Sequence, residues 1–236
     1  MLAAGSDRNR RLYIEEDLWR YYRVYPHDGW SFWPEIAPFA QGARRLEIGP
    51  GMLPHLPIAG TYFTDLSQTA LRELGRRGGL CVRASSPLPF ADQCFDLVCL
   101  FEVLEHVRDD VGLLREVARV LRPGGVVFLS CPMNPAYLTY FDEVVGHERR
   151  YRARELREKV AAAGLRIDRV CVRPDRTDRW FGALFGFGLR WLPRLTARIV
   201  MHYLPRYATQ AWSWQDGDDL DAAEQGGGVI VRMRRG

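Results

Sequence analysis

Between residues 46 and 56 the chain reads LEIGPGMLPHL, a stretch whose residue types could hold a ligand. Glu47 stands two positions before Gly49 and Gly51, directly after a short apolar run. Glycines there let the backbone turn and pass close to a bound molecule. A dinucleotide-binding turn asks for a third glycine where Pro54 stands, so that N–H groups face a pyrophosphate, and proline has no N–H to offer. A cationic aminoacyl nucleoside suits the set better. Glu47 can face its ammonium group, and Asp65, closing the run TYFTD, can accept both hydroxyls of its ribose. Histidine is the side chain best matched to proton transfer near neutral pH. His106 in EVLEHV follows an apolar strand-like run, His147 lies in VVGHERRYR, and His27 lies in YPHDGW. Each also has a plainer reading: His106 as a helix-start residue bonded to nearby backbone, His147 as part of a solvated helix approach, His27 as a cap residue. His55, after the glycine turn, reads as packing or solvent-facing, and His202 has no assignable role.

These residues must be positioned by an alternation of strands and helices. Strand-like runs fall at 44–48, 61–65, 80–84, 95–101, 125–131 and 165–172, and helical patterns at 67–77, 110–121 and 152–164. Continuous apolar strands in rotation with helices predict an α/β fold, a mostly parallel sheet covered on both faces. Apolar and aromatic residues among charges predict an amphipathic helix over 11–25 and a second, short one around 31–41. Pro123-Gly124-Gly125 stops one helix, and GGVIVRMRR at 227–235 reads as a last strand that can enter the sheet antiparallel. The expected layout is an N-terminal helical cap (1–42), a ligand-binding core (43–173), an aromatic insertion or lid (174–226) and a last core strand (227–236).

A chain of 236 residues, 47% hydrophobic, can bury one full core. Its net charge of +4 rests almost wholly on arginine, because Lys159 is the only lysine. That bias fits a GC-rich bacterial genome better than a phosphate-binding surface, so no nucleic-acid partner is expected. Five cysteines without Cys-x-x-Cys spacing read as buried free thiols of a reduced compartment. With no apolar leader or spanning run in sight, the expected location is cytoplasmic.

From about residue 43 to 172 the chain resembles the class I S-adenosyl-L-methionine-dependent methyltransferases. LEIGPG, FTDLS, PLPFADQCFDLVCLFEVLEHV and LLREVARVLRPGGVVFLSCP carry the resemblance. It implies a Rossmann-like seven-stranded sheet with the last strand antiparallel, S-adenosyl-L-methionine as cofactor and a small-molecule acceptor. By position it implies that Gly49 and Gly51 flank the methionyl part, that Asp65 and Leu66 hold ribose and adenine, and that Phe101 and Glu102 lie along the methionine end. Many relatives have an acidic residue where Ala84 stands; Ser85 or Ser86 is expected to substitute. HERRY matches the family's His-x-Arg-x-Tyr stretch on the substrate side, which makes His147 and Tyr151 catalytic candidates beside His106 and His27. No Asp/Asn/Glu grouping suits a divalent ion, so no metal is expected.

Trp30, Trp33, Trp180, Phe181 and Phe185 could form a lid over a flat or lipophilic acceptor. They could equally pack on one another or build a homodimer interface, and the arginine-studded run 180–207 could touch a bilayer surface. Two rival functions share the fold: a cofactor-binding enzyme of cyclisation, elimination or lyase type, and a non-catalytic interaction protein. Base methylation is disfavoured, since CPMNP at 131–135 lacks the Asn/Asp-Pro-Pro-aromatic motif.

Overall fold

The computed structural model describes residues 11–173, 178–209 and 213–236, with the side chains of 173, 178–183, 207, 225 and 226 outside that description. Trp180 and Phe181, two of the expected lid residues, therefore have no described side chains. Among the described residues eight strands form one sheet: β1 (Arg45–Ile48), β2 (Tyr62–Asp65), β3 (Leu80–Arg83), β4 (Phe95–Phe101), β5 (Leu121–Pro132), β6 (Leu165–Arg173), β7 (Ser213–Asp216) and β8 (Gly228–Arg235), in the order β3-β2-β1-β4-β5-β8-β6-β7. The first five run parallel, with Leu46 beside both Tyr62 and Val98, and Cys99 beside Phe128. β8 enters antiparallel between β5 and β6, pairing Leu129 with Val231 and Cys171 with Ile230. The sheet thus has the expected class and the antiparallel last strand. It carries one strand more than expected, because SWQD at 213–216 adds an edge beyond β6.

Helices cover both faces, as the strands' double-sided apolarity requires. On one face Leu46, Val98, Leu100, Val127, Leu129 and Val231 pack with Leu113, Leu114 and Val117 of α3 (Asp110–Val120) and Leu156 and Val160 of α5 (Ala153–Ala162). On the other, Leu97, Cys99, Phe128 and Ile230 meet Ile36 and Ala40 of α1 (Trp33–Ala40) and Leu204 and Ala208 of α7 (Pro193–Ala208). Each fully buried Leu or Phe contributes roughly 1.5–3 kcal/mol. α2 (Gln68–Arg76), capped by the Ser67 hydroxyl, packs Leu71 and Leu74 on Phe63. Of the five cysteines, all without disulfides, only Cys81 is less than buried.

The expected helix over 11–25 does not form. Residues 11–15 make a single wide turn, 18–21 a tight one, and Asp17 between them sits at φ 48, which breaks any continuous helix. Tertiary packing explains the outcome: Leu12 and Leu18 bury themselves against Val145 of α4 (Tyr140–Val145) and Leu189 of α6 (Asp178–Trp191) instead of sharing one helical face. The run 180–207 is the helix pair α6–α7, and among the described residues no helix is long and apolar enough to cross a membrane.

Candidate functional site

The carboxyl ends of β1, β2 and β4 meet at one edge of the sheet, where open parallel sheets carry ligands. After β1 the backbone turns through Gly49 and Gly51 at φ 66 and 53, conformations that favour glycine. Gly49 N–H donates to the Thr64 carbonyl at 2.7 Å, tying the turn to β2. A Cβ at Gly49 would lie 2.7 Å from Val103 Cγ2, and one at Gly51 would overlap the Trp19 indole. Asp65 braces the turn: Oδ2 accepts from Gly51 N–H at 2.9 Å and Oδ1 from Ser67 N–H at 2.8 Å. A carboxylate offers about four lone-pair positions, so these N–H groups leave accepting capacity for a hydroxyl. Burial raises this carboxyl's pKa, against the lowering effect of those N–H groups. Leu66 is half-buried and its carbonyl accepts from Arg83 Nε at 3.1 Å. Ser85 and Ser86 are half-buried, and Ser85 Oγ is shielded with no hydrogen-bond partner among the described residues. A glycine turn, a carboxylate with accepting capacity to spare and a hydroxyl unpartnered among the described residues suit an aminoacyl nucleoside.

Glu47 departs from expectation. It is 1% exposed, and its oxygens accept from His55 N–H at 2.9 and 3.1 Å and from Leu56 N–H at 3.1 Å, with His55 Nδ1 at 2.9 Å. Its carboxylate folds the loop after the glycines through these contacts. His55, which the sequence left as packing or solvent-facing, is held by that carboxylate and stacks on Phe101 at 4.1 Å and Trp30 at 4.7 Å. Trp30 is itself buried and donates from Nε1 to the Pro54 carbonyl at 3.3 Å. Trp30 therefore supports the glycine loop from within and is no lid; Trp33 likewise packs against the core around Ile36. The aromatic residues that do stand over the glycines are Trp19, stacked on Tyr13 at 5.2 Å, and Tyr22, edge-on to Trp19 at 5.1 Å. Burial pushes the Tyr22 hydroxyl up to about 12.

At the end of β4, Phe101 is buried and Glu102 is exposed at φ 52, a strained backbone for a non-glycine residue of the kind that gathers at functional sites. Ser130 Oγ donates to Glu102 Oε1 at 2.7 Å, and Glu102 N–H donates back to Ser130 Oγ at 3.0 Å. The one-turn helix Leu104–His106 follows. His106 Nδ1 lies 3.1 Å from the Gly146 carbonyl, so that nitrogen carries the proton and Nε2 the lone pair. Burial, and then the neighbouring His147, pulls the His106 pKa down to about 3. The two imidazoles meet edge-on at 4.7 Å, which joins two sequence-predicted residues separated by forty positions. His147 Nδ1 lies 2.7 Å from Asp142 Oδ1. Asp142 also takes Arg150 Nε at 2.8 Å and Nη2 at 3.0 Å. Burial alone would raise the Asp142 pKa, but the hydrogen bonds from His147 and Arg150 outweigh it and hold the carboxyl well below the usual range.

Tyr151 and His27 do not join this pair. Tyr151 is fully buried, and its hydroxyl donates to Asp110 Oδ2 at 3.0 Å with the Leu104 carbonyl at 3.1 Å. Burial and then the Asp110 charge push its pKa far up. Tyr151 is thus a pillar under the Leu104–His106 turn, a correction to its catalytic assignment. His27 is half-buried against Trp33 at 4.6 Å, its pKa lowered by burial. Sequence reasoning missed Glu105, the neighbour of His106. It is fully buried, and neither carboxylate oxygen has a hydrogen-bond partner among the described residues.

Known proteins resemble this chain in sequence and in fold. Residues 46–129 match the family model described as "Methyltransferase domain". The chain is 31% identical over 182 residues to a demethylmenaquinone methyltransferase of Mycolicibacterium paratuberculosis, an alignment covering 66% of this chain and 76% of that protein. It is 36% identical over 83 residues to a protein of Mycolicibacterium smegmatis named as a probable S-adenosylmethionine-dependent methyltransferase, where it spans only 32% of that protein's length. Among solved structures it resembles an S-adenosylmethionine-dependent methyltransferase of Thermotoga maritima, described as a possible histamine N-methyltransferase. The TM-score is 0.60 at 15% identity, covering 97% of this chain and 99% of the other, a likeness of fold.

Proposed function

Because this chain belongs to the class I S-adenosyl-L-methionine-dependent methyltransferases, we propose that it methylates a small lipophilic or aromatic acceptor of quinone-like character in bacterial metabolism. The observation that carries the reading is the His106–His147 pair just past β4, together with the aromatic trio Tyr13, Trp19 and Tyr22 whose Trp19 covers Gly51 of the glycine turn. When bound, the cofactor supplies a methyl group already activated on a sulfonium. The protein's task is then to orient and to exclude water, and orientation alone can be worth about 7–11 kcal/mol. In this reading Asp65 holds the ribose hydroxyls, with Leu66, Ser85 and Ser86 around the adenine. Gly49, Gly51, Phe101 and Glu102 line the methionine end. His147, held in one tautomer by Asp142, meets the acceptor's reacting atom beside His106.

A lipophilic acceptor also accounts for the outer surface of α6 and α7. Leu184, Phe187, Trp191, Leu192, Leu195 and Ile199 are exposed there, at 71% for Leu184 and 62% for Trp191, among Arg190, Arg194 and Arg198. From residue 179 to 208 the sequence has no Asp or Glu. An apolar, arginine-flanked face without acids suits the surface of an anionic bilayer, from which such an acceptor could be drawn. The demethylmenaquinone methyltransferase relative carries a quinone in its own name.

The test is turnover of quinol-type acceptors in anionic vesicles, following S-adenosylhomocysteine and methylated product together, with Asp65→Asn as control. We expect equal amounts of both, and about 10- to 100-fold weaker cofactor binding in the variant. Acceptor conversion without cofactor consumption would favour the cyclase or lyase reading. Failure to bind the cofactor would overturn the enzyme altogether.

A further inference from the structure

We propose that Glu105, His106 and His147 form a binding site for one divalent transition-metal ion of the Zn2+ type, set just past the carboxyl end of β4. The sequence held no Asp/Asn/Glu set for a metal; this set is two imidazoles and one carboxylate, and it becomes visible only when the fold brings residue 147 to residues 105 and 106. One donor atom from each of the three lies within 4.8 Å of the others, and Glu105 Oε1 is 3.7 Å from His147 Nε2. Ligands held ~2.0–2.2 Å from a tetrahedral ion lie roughly 3.3–3.6 Å apart, so adjustments on the scale of a rotamer complete the geometry.

Three further observations point to a cation. The first is Glu105 itself, whose carboxylate is fully buried beyond hydrogen-bond distance of any described partner. Burying an uncompensated carboxylate is expensive, and the remedies are a proton or a cation. The second is the charge around it. Glu102, Glu105 and Asp142 bring three carboxylates together, and Arg150, the cation facing them, is already engaged by both oxygens of Asp142. Three carboxyl groups thus share one guanidinium, a setting in which a further cation finds oxygen ligands ready. The third is the outer shell. His147 Nδ1 is bonded to Asp142 and His106 Nδ1 to the Gly146 carbonyl, so Nδ1 of each ring donates inward and Nε2 is the atom that would meet an ion. A carboxylate or carbonyl behind each imidazole is the arrangement that orients histidine ligands on metals.

Two histidines and one carboxylate leave a coordination position open, the pattern of catalytic rather than structural sites. The role of that position deepens the function proposed above and rests on it. The open position takes the acceptor's hydroxyl oxygen, whose proton passes to solvent water as the ion lowers its pKa. The C–O bond then forms as the C–S bond breaks, and sulfur keeps that electron pair as a neutral thioether. This assigns the histidine pair to holding the ion and not to carrying a proton.

The ion is tested apart from methyl transfer. The full chain is stripped with a chelator and titrated with Zn2+ alone, and separately with Co2+, whose visible absorption reports coordination geometry. We expect about one equivalent of Zn2+ bound and a four- or five-coordinate Co2+ spectrum, with affinity falling at least tenfold in Glu105→Gln and in His147→Ala. Asp142→Asn, one shell further out, should cost about 10- to 100-fold in affinity. Circular dichroism and cofactor binding on the same samples verify folding, and His106→Gln is the second ligand variant should His147→Ala fail that check. Substoichiometric uptake by the wild-type chain overturns the site. So does uptake unchanged in folded Glu105→Gln. If the stripped protein methylates at full rate with chelator present, the ion's catalytic role falls while the methyltransferase reading stands; if Zn2+ binds but no acceptor is methylated, the reverse holds.

Discussion

Replacing Glu47 by glutamine separates what the sequence motif implies from what the carboxylate does. Glu47 accepts from His55 N–H, His55 Nδ1 and Leu56 N–H, all within 3.1 Å, while 1% exposed. Glutamine has one acceptor oxygen. Placed at Oε1, it can keep the two His55 contacts, but its NH2 group then faces the Leu56 N–H. Leaving one buried donor unsatisfied costs about 1–3 kcal/mol, and the remaining bonds lose their charge assistance, so the total is roughly 2–4 kcal/mol. For a domain of this size that lowers Tm by roughly 4–16 °C. The assay is calorimetric unfolding beside cofactor titration. Below the variant's Tm, binding should be weakened by no more than about threefold, because no ligand contact is lost. An unchanged Tm with tenfold weaker binding would refute the reasoning and return Glu47 to the ligand's ammonium group.

Two further outcomes follow from the same kind of argument. Tyr151→Phe removes a buried hydroxyl that bridges Asp110 and the Leu104 carbonyl, yet Asp110 keeps Arg149 at 2.8 Å and Lys159 at 2.9 Å. It should cost about 1–2 kcal/mol in urea unfolding and leave kcat within roughly twofold, whereas a hundredfold loss of kcat would make Tyr151 catalytic after all. Asp168 binds Arg232 at 2.7 Å and Arg234 at 2.8 Å; although burial opposes it, those hydrogen bonds lower its pKa in the folded state. The unfolded chain then takes up the proton first, so this stabilisation is whole above about pH 4, the ordinary carboxylate value, and fades as pH falls through the folded one. Asp168→Asn should lose about 1–3 kcal/mol at pH 7, and its deficit against wild type should shrink in acid; a deficit constant with pH would show that the pairing is not its source.

Much of the molecule could be read from local pattern. The strands from β1 to β6 are continuous apolar runs, α2 and α3 show clean helical periodicity, and both kinds of signal survive folding because one core satisfies them all. What could not be read depends on encounters between distant segments. Trp19 meets Gly51, and the aromatic positions over 11–25 suit a helix equally well until Asp17 breaks it and α4 and α6 supply the packing partners. Glu47 looked like a ligand-facing acid because its competitors for the carboxylate, the N–H groups of residues 55 and 56, declare themselves only once the loop closes. His106 and His147 were each visible as chemistry, but their partnership was not, and Glu105 passed unnoticed because its burial is a tertiary fact. The turn after β1 and its brace Asp65 were more legible, since glycine and aspartate at strand ends act through backbone geometry that lies close in sequence.

The position of β8 bears on how this polypeptide is made. Residues 228–235 lie between β5 and β6, so both neighbours keep an open edge until β8, later than either in the chain, has been synthesised. Exposed, apolar strand edges recruit other strands. Loss of β8 would therefore yield aggregating material and not a slightly shortened enzyme.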